Sequence, residues 1–215
     1  TTLIANPAVT YTSDESTGTL KFTPISDASG STVITVTVED GGLDGDLNTT
    51  SDNLTLSETF TVTVNPVNDL PALAALSDLT LDEDAAEQTI NLAGITAGGG
   101  ENQPLRVTAT SGNTNLMPNP AVTYTSAESI GSIKFTPAAD AHGSAVITVM
   151  VEDGGLDGDL NTPADNATTT QTFTVTVNPI NDLPTLAALS DLTLDEDATE
   201  QTVNLSGITA GGGES

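Results

Sequence analysis

Residues 1–102 return as residues 114–215. Sliding the 215-residue chain along itself by 113 positions requires no gap, and 78 of the 102 overlapped positions are identical. Whatever this chain folds into must therefore close upon itself within about one repeat length and then recur along the chain. The repeat accounts for the acidic loop "VEDGGLDGDLNT", which fills Val38 to Thr49 and is written again, unchanged, at Val151 to Thr162.

Two proline-bracketed stretches divide the copies, "NPVNDLP" at Asn65 to Pro71 and "NPINDLP" at Asn178 to Pro184. Proline fixes φ and removes a backbone donor, so each reads as a short, stiff linker. The expected organisation is the rear part of one module in residues 1–66, a complete module in 67–179 and the front part of the next in 180–215. The chain is thus expected to start and stop within modules, as a window of a longer array or fibre whose ends are ordered by continuation or by neighbouring copies head to tail; strand donation between separate short subunits is the competing reading, and it needs the missing strand to come from elsewhere. The positions not supplied by these two partial modules correspond to Gln103 to Asn113, expected to hold a central strand.

Within the complete module, seven runs alternate apolar and polar residues with period two: "SDLTLDE", "QTINLAGI", "PLRVTAT", "AVTYTS", "GSIKFTP", "SAVITVMVE" and "TQTFTVTVN". Turn residues separate them, and no stretch carries a helical period. Labelled A to G, they place Ile147, Val149 and Val151 on one face of F, and Phe173, Val175 and Val177 on one face of G. Seven short strands in about 110 residues predict an all-β chain of tandem two-sheet sandwiches of the immunoglobulin or cadherin type, whose connections are Greek-key.

"VEDGG" ending strand F, followed by a strand running into "NPVNDLP", resembles the cadherin pattern of an alanine-x-aspartate-x-glycine stretch before a "DxNDNxP" linker. The chain is similar in pattern to the tandem cadherin-like repeats of large bacterial calcium-dependent adhesins and surface fibres. It departs from animal cadherins in lacking a "DRE" triplet and in reading "VND" at the linker. The resemblance implies calcium between stiffly joined modules and an extracellular, cell-surface location.

Charge points the same way. Thirty acidic residues face three basic ones, Lys21, Arg106 and Lys134, for a net charge of −27. Phosphate backbones would be repelled, which excludes nucleic acid as a partner class, and cations become the natural ligands. The absence of cysteine excludes thiolate metal sites and disulfides. No apolar run approaches the roughly 18 residues needed to span a bilayer.

Calcium takes six to eight oxygen ligands, which Asp- and Asn-rich loops supply. Asp44, Asp46 and Asn48 carry a D-x-D-x-N spacing, but Thr49 and Thr55 stand where an EF-hand needs glycine and glutamate, so that motif is rejected. An up-and-down count of seven strands sorts the remaining loops to the two module ends. Asp153, Asp157 and Asp159 of the F–G loop are expected with Asn65, Asn68 and Asp69 of the preceding linker and Asp27 of the preceding E–F loop. Asp82, Glu83 and Asp84 of the A–B loop, with Asp140, are expected around Asn178, Asn181 and Asp182, while Asp40, Asp44 and Asp46 serve the junction before residue 1. His142, the sole histidine, has Ser29 at its matched position and carries no repeated role. Lys21 and Lys134 match in strand E, where an isopeptide crosslink is weighed against an outward lysine beside acidic neighbours, and the latter is preferred.

No nucleophile elbow, phosphate loop or zinc-protease motif is present, and no enzyme is expected. The expected function is a structural, calcium-stiffened stalk or fibre segment of an extracellular bacterial surface protein, an extender whose partners are neighbouring copies of the module, head to tail. The alternative is a β-sandwich module that binds a carbohydrate or cell-surface ligand, which calls for an exposed aromatic platform built on Tyr11 or Tyr124.

Overall fold

The computed structural model describes residues 2–13 and 15–212. It divides into two compact units, Thr1–Asp69 with Gly99–Glu101, and Leu70–Gly98 with Asn102–Ser215. Every element among the described residues is a strand, so no helix is long and apolar enough to cross a membrane. The chain is all-β.

Four strands form the first unit: β1 (Ala8–Thr10), β2 (Thr19–Lys21), β3 (Gly30–Glu39) and β4 (Thr55–Val64). The second contains β5 (Leu79–Asp82), β6 (Gln88–Ala93), β7 (Leu105–Ser111), β8 (Ala121–Thr123), β9 (Ile130–Phe135), β10 (Gly143–Asp153) and β11 (Thr168–Asn178). These last seven correspond to the runs A to G. They make two sheets, one ordered β5-β11-β10-β7 and the other β6-β9-β8. All pairings are antiparallel except that of β5 beside β11, which is parallel. An A-G-F-C sheet facing a B-E-D sheet is an immunoglobulin-like sandwich with its first strand joined to the G side.

Alternation fixes which faces meet. Ile147, Val149 and Val151 of β10 and Phe173, Val175 and Val177 of β11 are all buried, together with Leu92, Ile133 and Phe135 of the facing sheet. Their polar neighbours point outward, as expected for a sheet with one wet side. Met117, in the connection before β8, fills the core beside Leu116. One expectation changes: β7, strand C, is an edge strand rather than a central one. Alternation in Leu105, Val107 and Ala109 reports the face a strand presents, not how many neighbours it has.

The first unit keeps the same local pairing. Ile34 opposes Phe60 in β3–β4 as Ile147 opposes Phe173 in β10–β11, and Ala8 opposes Lys21 as Ala121 opposes Lys134. Phe22 and Phe60 stand 6.4 Å apart between ring centroids, as do Phe135 and Phe173. Residues 180–212 form no strand; a single antiparallel bridge joins Thr185 and Thr209.

Candidate metal centre

At one end of the second unit, three loops deliver one carboxylate each: Asp84 between β5 and β6, Asp140 between β9 and β10, and Asp182 in the linker that follows β11. Their ligand oxygens all lie within 4.8 Å of one another. Two oxygens on one calcium, each 2.3–2.6 Å from the ion, can be no more than about 5 Å apart, so this spacing fits a shared hard cation. The donor set is oxygen only, which suits calcium rather than a soft or imidazole-seeking metal.

The backbone is bent to present these groups. Asp84 has φ 61° and Asp140 φ 54°, in the left-handed region where residues bearing a Cβ are uncommon. The Asp140 amide donates to Asp84 Oδ1 at 3.2 Å, tying the two loops together. Glu83 anchors the linker: its side chain is buried, Oε1 accepts the Ile180 amide at 2.6 Å, and its own amide donates to the Asn178 carbonyl. Glu83 Oε2 is buried without a hydrogen bond and lies 3.7 Å from His142 Nδ1. Asn178 donates from Nδ2 to Asp82 Oδ1, and Asn181 donates from Nδ2 to the Asp182 carbonyl.

The glycine run after strand B, which reads in sequence as flexible punctuation, belongs to the site. A Cβ on Gly212 would collide with Asp140 Oδ1 and lie 2.8 Å from Asp182 Oδ2, so only glycine lets the chain pass against these carboxylates. In the first unit Gly99, at φ 43°, stands in the same relation to Asp69. There Asp27 (φ 58°), Asn65, Asp69 and Glu101 line one cleft, and the Asp69 amide donates to Glu101 Oε2 at 3.2 Å. Asp27, Asp69 and Gly99 match Asp140, Asp182 and Gly212 under the repeat, while Glu214, which matches Glu101, lies outside the described residues. Glu101 and the glycines are the residues that sequence reasoning missed, and their signal was the unchanged "AGGGE" in both copies.

The F–G loop carboxylates accept hydrogen bonds from within their own loops. Asp153 is fully buried, and its Oδ1 accepts the amides of Gly155 and Ala167 at 2.9 and 2.8 Å. Asp157 accepts the Asp159 amide, and Asp159 accepts from the amide and side chain of Asn161 and from the Thr162 hydroxyl. The backbone amide of Asn161, then its side-chain amide, hold the Asp159 carboxyl below its ordinary value. In the first unit Asp44 accepts the Asp46 amide. Asp46 is lowered by the Asn48 backbone and side-chain amides, and Asp40 by the amides of Leu54 and Gly42. Asn68 is half-buried in the first unit's linker.

Lys134 Nζ pairs with Glu87 Oε1 at 3.0 Å on the outer surface, the bland role expected of it. Tyr124 packs on the core and donates its hydroxyl to the Glu128 carbonyl, and burial raises its pKa. With Phe135 and Phe173 in the core as well, the described residues of the second unit offer no aromatic platform.

No protein-family model and no curated protein matches the chain. Among solved structures it is similar to domains 4 and 5 of the S-layer protein SbsC, at TM-score 0.38 and 17% identity, covering 74% of this chain and 62% of that one. It is similar also to domains 1–6 of the same surface-layer protein, at TM-score 0.37 and 15% identity over 78% of this chain and 19% of that one. The titin domains z1z2 in complex with telethonin give TM-score 0.35 and 12% identity over 57% and 55%. The chain thus spans about three fifths of the two-domain S-layer structure and about one fifth of the six-domain one.

Proposed function

We propose that this chain is a structural segment of an extracellular surface array, an extender whose linkers are stiffened by calcium. The observation that carries the reading is the convergence of Asp84, Asp140 and Asp182 within 4.8 Å. Three like charges brought that close repel one another, and a divalent cation reverses the sign of the interaction. Because one carboxylate comes from the linker and two from the loops of the sandwich, a bound ion would fix the linker's direction relative to its own module. The acidic, partly exposed ligand set suits the weak sites of extracellular modules, which fill at roughly 10⁻⁴–10⁻³ M calcium. Repetition of the linker and of its Asp and Gly neighbours supports a repeated mechanical role, in which each module touches mainly its neighbours.

Calcium titration of the full chain by calorimetry, with thermal melts in calcium and in chelator, tests the proposal. At about ten times Kd, a ligand that binds only the folded state adds about 1.4 kcal/mol of apparent stability. Asp182→Asn should lose about tenfold or more in affinity at its site, since removing a ligand charge weakens calcium binding. Asp159→Asn, in a loop whose bonds are internal, should leave that site alone. An unchanged melting temperature in chelator and in calcium would overturn the reading.

A further inference from the structure

The single histidine of the chain stands beside a carboxylate that is only half used. Glu83 lies between β5 and β6, with its side chain 1% exposed. Its Oε1 accepts the Ile180 amide at 2.6 Å, and its backbone amide donates to the Asn178 carbonyl, so the residue is held from two directions. Oε2 is buried and accepts no hydrogen bond from the described residues. A carboxylate oxygen taken out of water without a partner is unfavourable, and a cation within its reach removes the penalty. The group that faces Oε2 is His142 Nδ1, 3.7 Å away and too distant for a hydrogen bond.

The backbone holds the imidazole at that place. Ala141 packs against the core, and Gly143 follows at φ 132°, which residues bearing a Cβ rarely adopt, so His142 sits half exposed at the start of β10. Gly30 repeats this bend at φ 130° in the first unit, where Ser29 takes the place of His142. The loop shape therefore does not require an imidazole, and the role of His142 lies in what it faces. A nitrogen about 2.0–2.1 Å and an oxygen about 2.0–2.2 Å from one zinc ion stand about 3.4 Å apart at the tetrahedral angle and no more than about 4.3 Å apart. The 3.7 Å between Nδ1 and Oε2 falls inside that range.

We propose that His142 Nδ1 and Glu83 Oε2 bind a borderline divalent transition metal of the zinc class, with water completing the coordination on the exposed side of the histidine. An imidazole beside a carboxylate favours such ions, whereas calcium takes oxygen ligands. The surrounding acidic surface raises the local concentration of any cation. Asp84, Asp140 and Asp182 supply none of the ligands, so this site stands or falls apart from the calcium reading. Because Glu83 also holds Asn178 and Ile180, an ion at Oε2 would tie the β9–β10 connection to the residues that lead out of β11. With Ser29 in place of the histidine, the first unit lacks the nitrogen ligand.

One histidine gives one set of imidazole resonances, so heteronuclear NMR reads the site directly in the full chain. Zinc chloride titrated over about 1 μM to 1 mM, in excess calcium and at about pH 7.5 because metals bind the deprotonated imidazole, should move the Nδ1 resonance to a saturating limit. Glu83→Gln should weaken zinc binding at least about tenfold, since loss of a mere outer partner of a metal ligand already costs about 10–100-fold. His142→Ser installs the residue type found at position 29, so it should keep the fold by circular dichroism and lose the zinc step in calorimetry. Asp182→Asn should weaken zinc binding far less than Glu83→Gln does. No saturating shift, as a simple ion pair would give, or a shift at Nε2 in place of Nδ1, would overturn the proposal. So would full zinc affinity in Glu83→Gln or in His142→Ser, or a loss in Asp182→Asn as large as that in Glu83→Gln. Calcium melts of the same chain judge the calcium reading separately, whichever way zinc behaves.

Discussion

Val38 and Val151 occupy the same position of the repeat, one largely exposed on β3 and the other fully buried on β10. Truncating each to alanine compares burial at constant local sequence. Removing two methyl groups from a buried valine forfeits about 0.8 kcal/mol apiece in transfer free energy. The space they vacate, if it does not collapse, adds about 1 kcal/mol. Val151→Ala should therefore destabilise the second unit by about 2–3 kcal/mol. At Val38 most of the side chain already meets water and no closed cavity can form, so Val38→Ala should cost about 0.5 kcal/mol in the monomer. Native-state hydrogen exchange on β3–β4 and β10–β11 amides in dilute chain resolves the units separately, without requiring one cooperative transition. Equal costs at the two positions would refute the reasoning, because they would mean that the β3 face is covered in the isolated chain.

Two further perturbations test individual contacts. Arg106 donates from Nε at 2.9 Å and from Nη2 to the same oxygen of the largely buried Glu152, whose other oxygen accepts from Asn166; Arg106→Met should cost about 1–2 kcal/mol in urea unfolding, below the usual figure for a buried pair because the arginine is partly exposed and screened, and no change in midpoint would dismiss the pair as structural support. Asp40, Asp46 and Asp159 have carboxyls held below the ordinary 3.8, so the order they give the F–G loops should be complete above about pH 4 and lost as pH falls through their lowered values; amide NMR shifts of Asn48 and Asn161 should stay constant from about pH 7 to 4.5 and move below that, and movement near pH 6 would reject these carboxylates as the cause.

The strands were legible because burial writes a period of two into the sequence. In Ile147, Val149, Val151 and in Phe173, Val175, Val177 every second residue must meet the opposite sheet, and no helix can satisfy that spacing. Neighbour order leaves no such trace, which is why β7 reads as central and lies at an edge. The acidic loops were harder. That Asp84, Asp140 and Asp182 share one end follows from loop parity in a seven-stranded sandwich. Asp153, however, precedes Gly155 by two positions, and an aspartate there reads equally well as a ligand or as the acceptor of its own loop's amides, the use the structure gives it. Gly99 and Gly212 escaped notice because flexible linkage and close approach both select glycine.

Two unfavourable terms fall on the same few residues. Of the four non-glycine residues with positive φ among the described residues, three are Asp27, Asp84 and Asp140. A left-handed conformation costs a Cβ-bearing residue of order 1 kcal/mol, less for aspartate than for most. Asp84 and Asp140 add to this the repulsion of their carboxylates against Asp182. Turn formation alone would account for the backbone, since a short polar side chain tolerates this region, but it gives no reason for aiming three negative groups from three separate loops at one point. Nor does solubility, because a surface with so few cations gains nothing by concentrating its anions. The divalent cation proposed above would answer both terms at once: it would convert the carboxylate repulsion into ligation, and it would make use of the bent backbone that presents those oxygens. The same proposal would account for the adjoining glycine, since a larger residue at Gly212 would occupy the space beside Asp140 and Asp182.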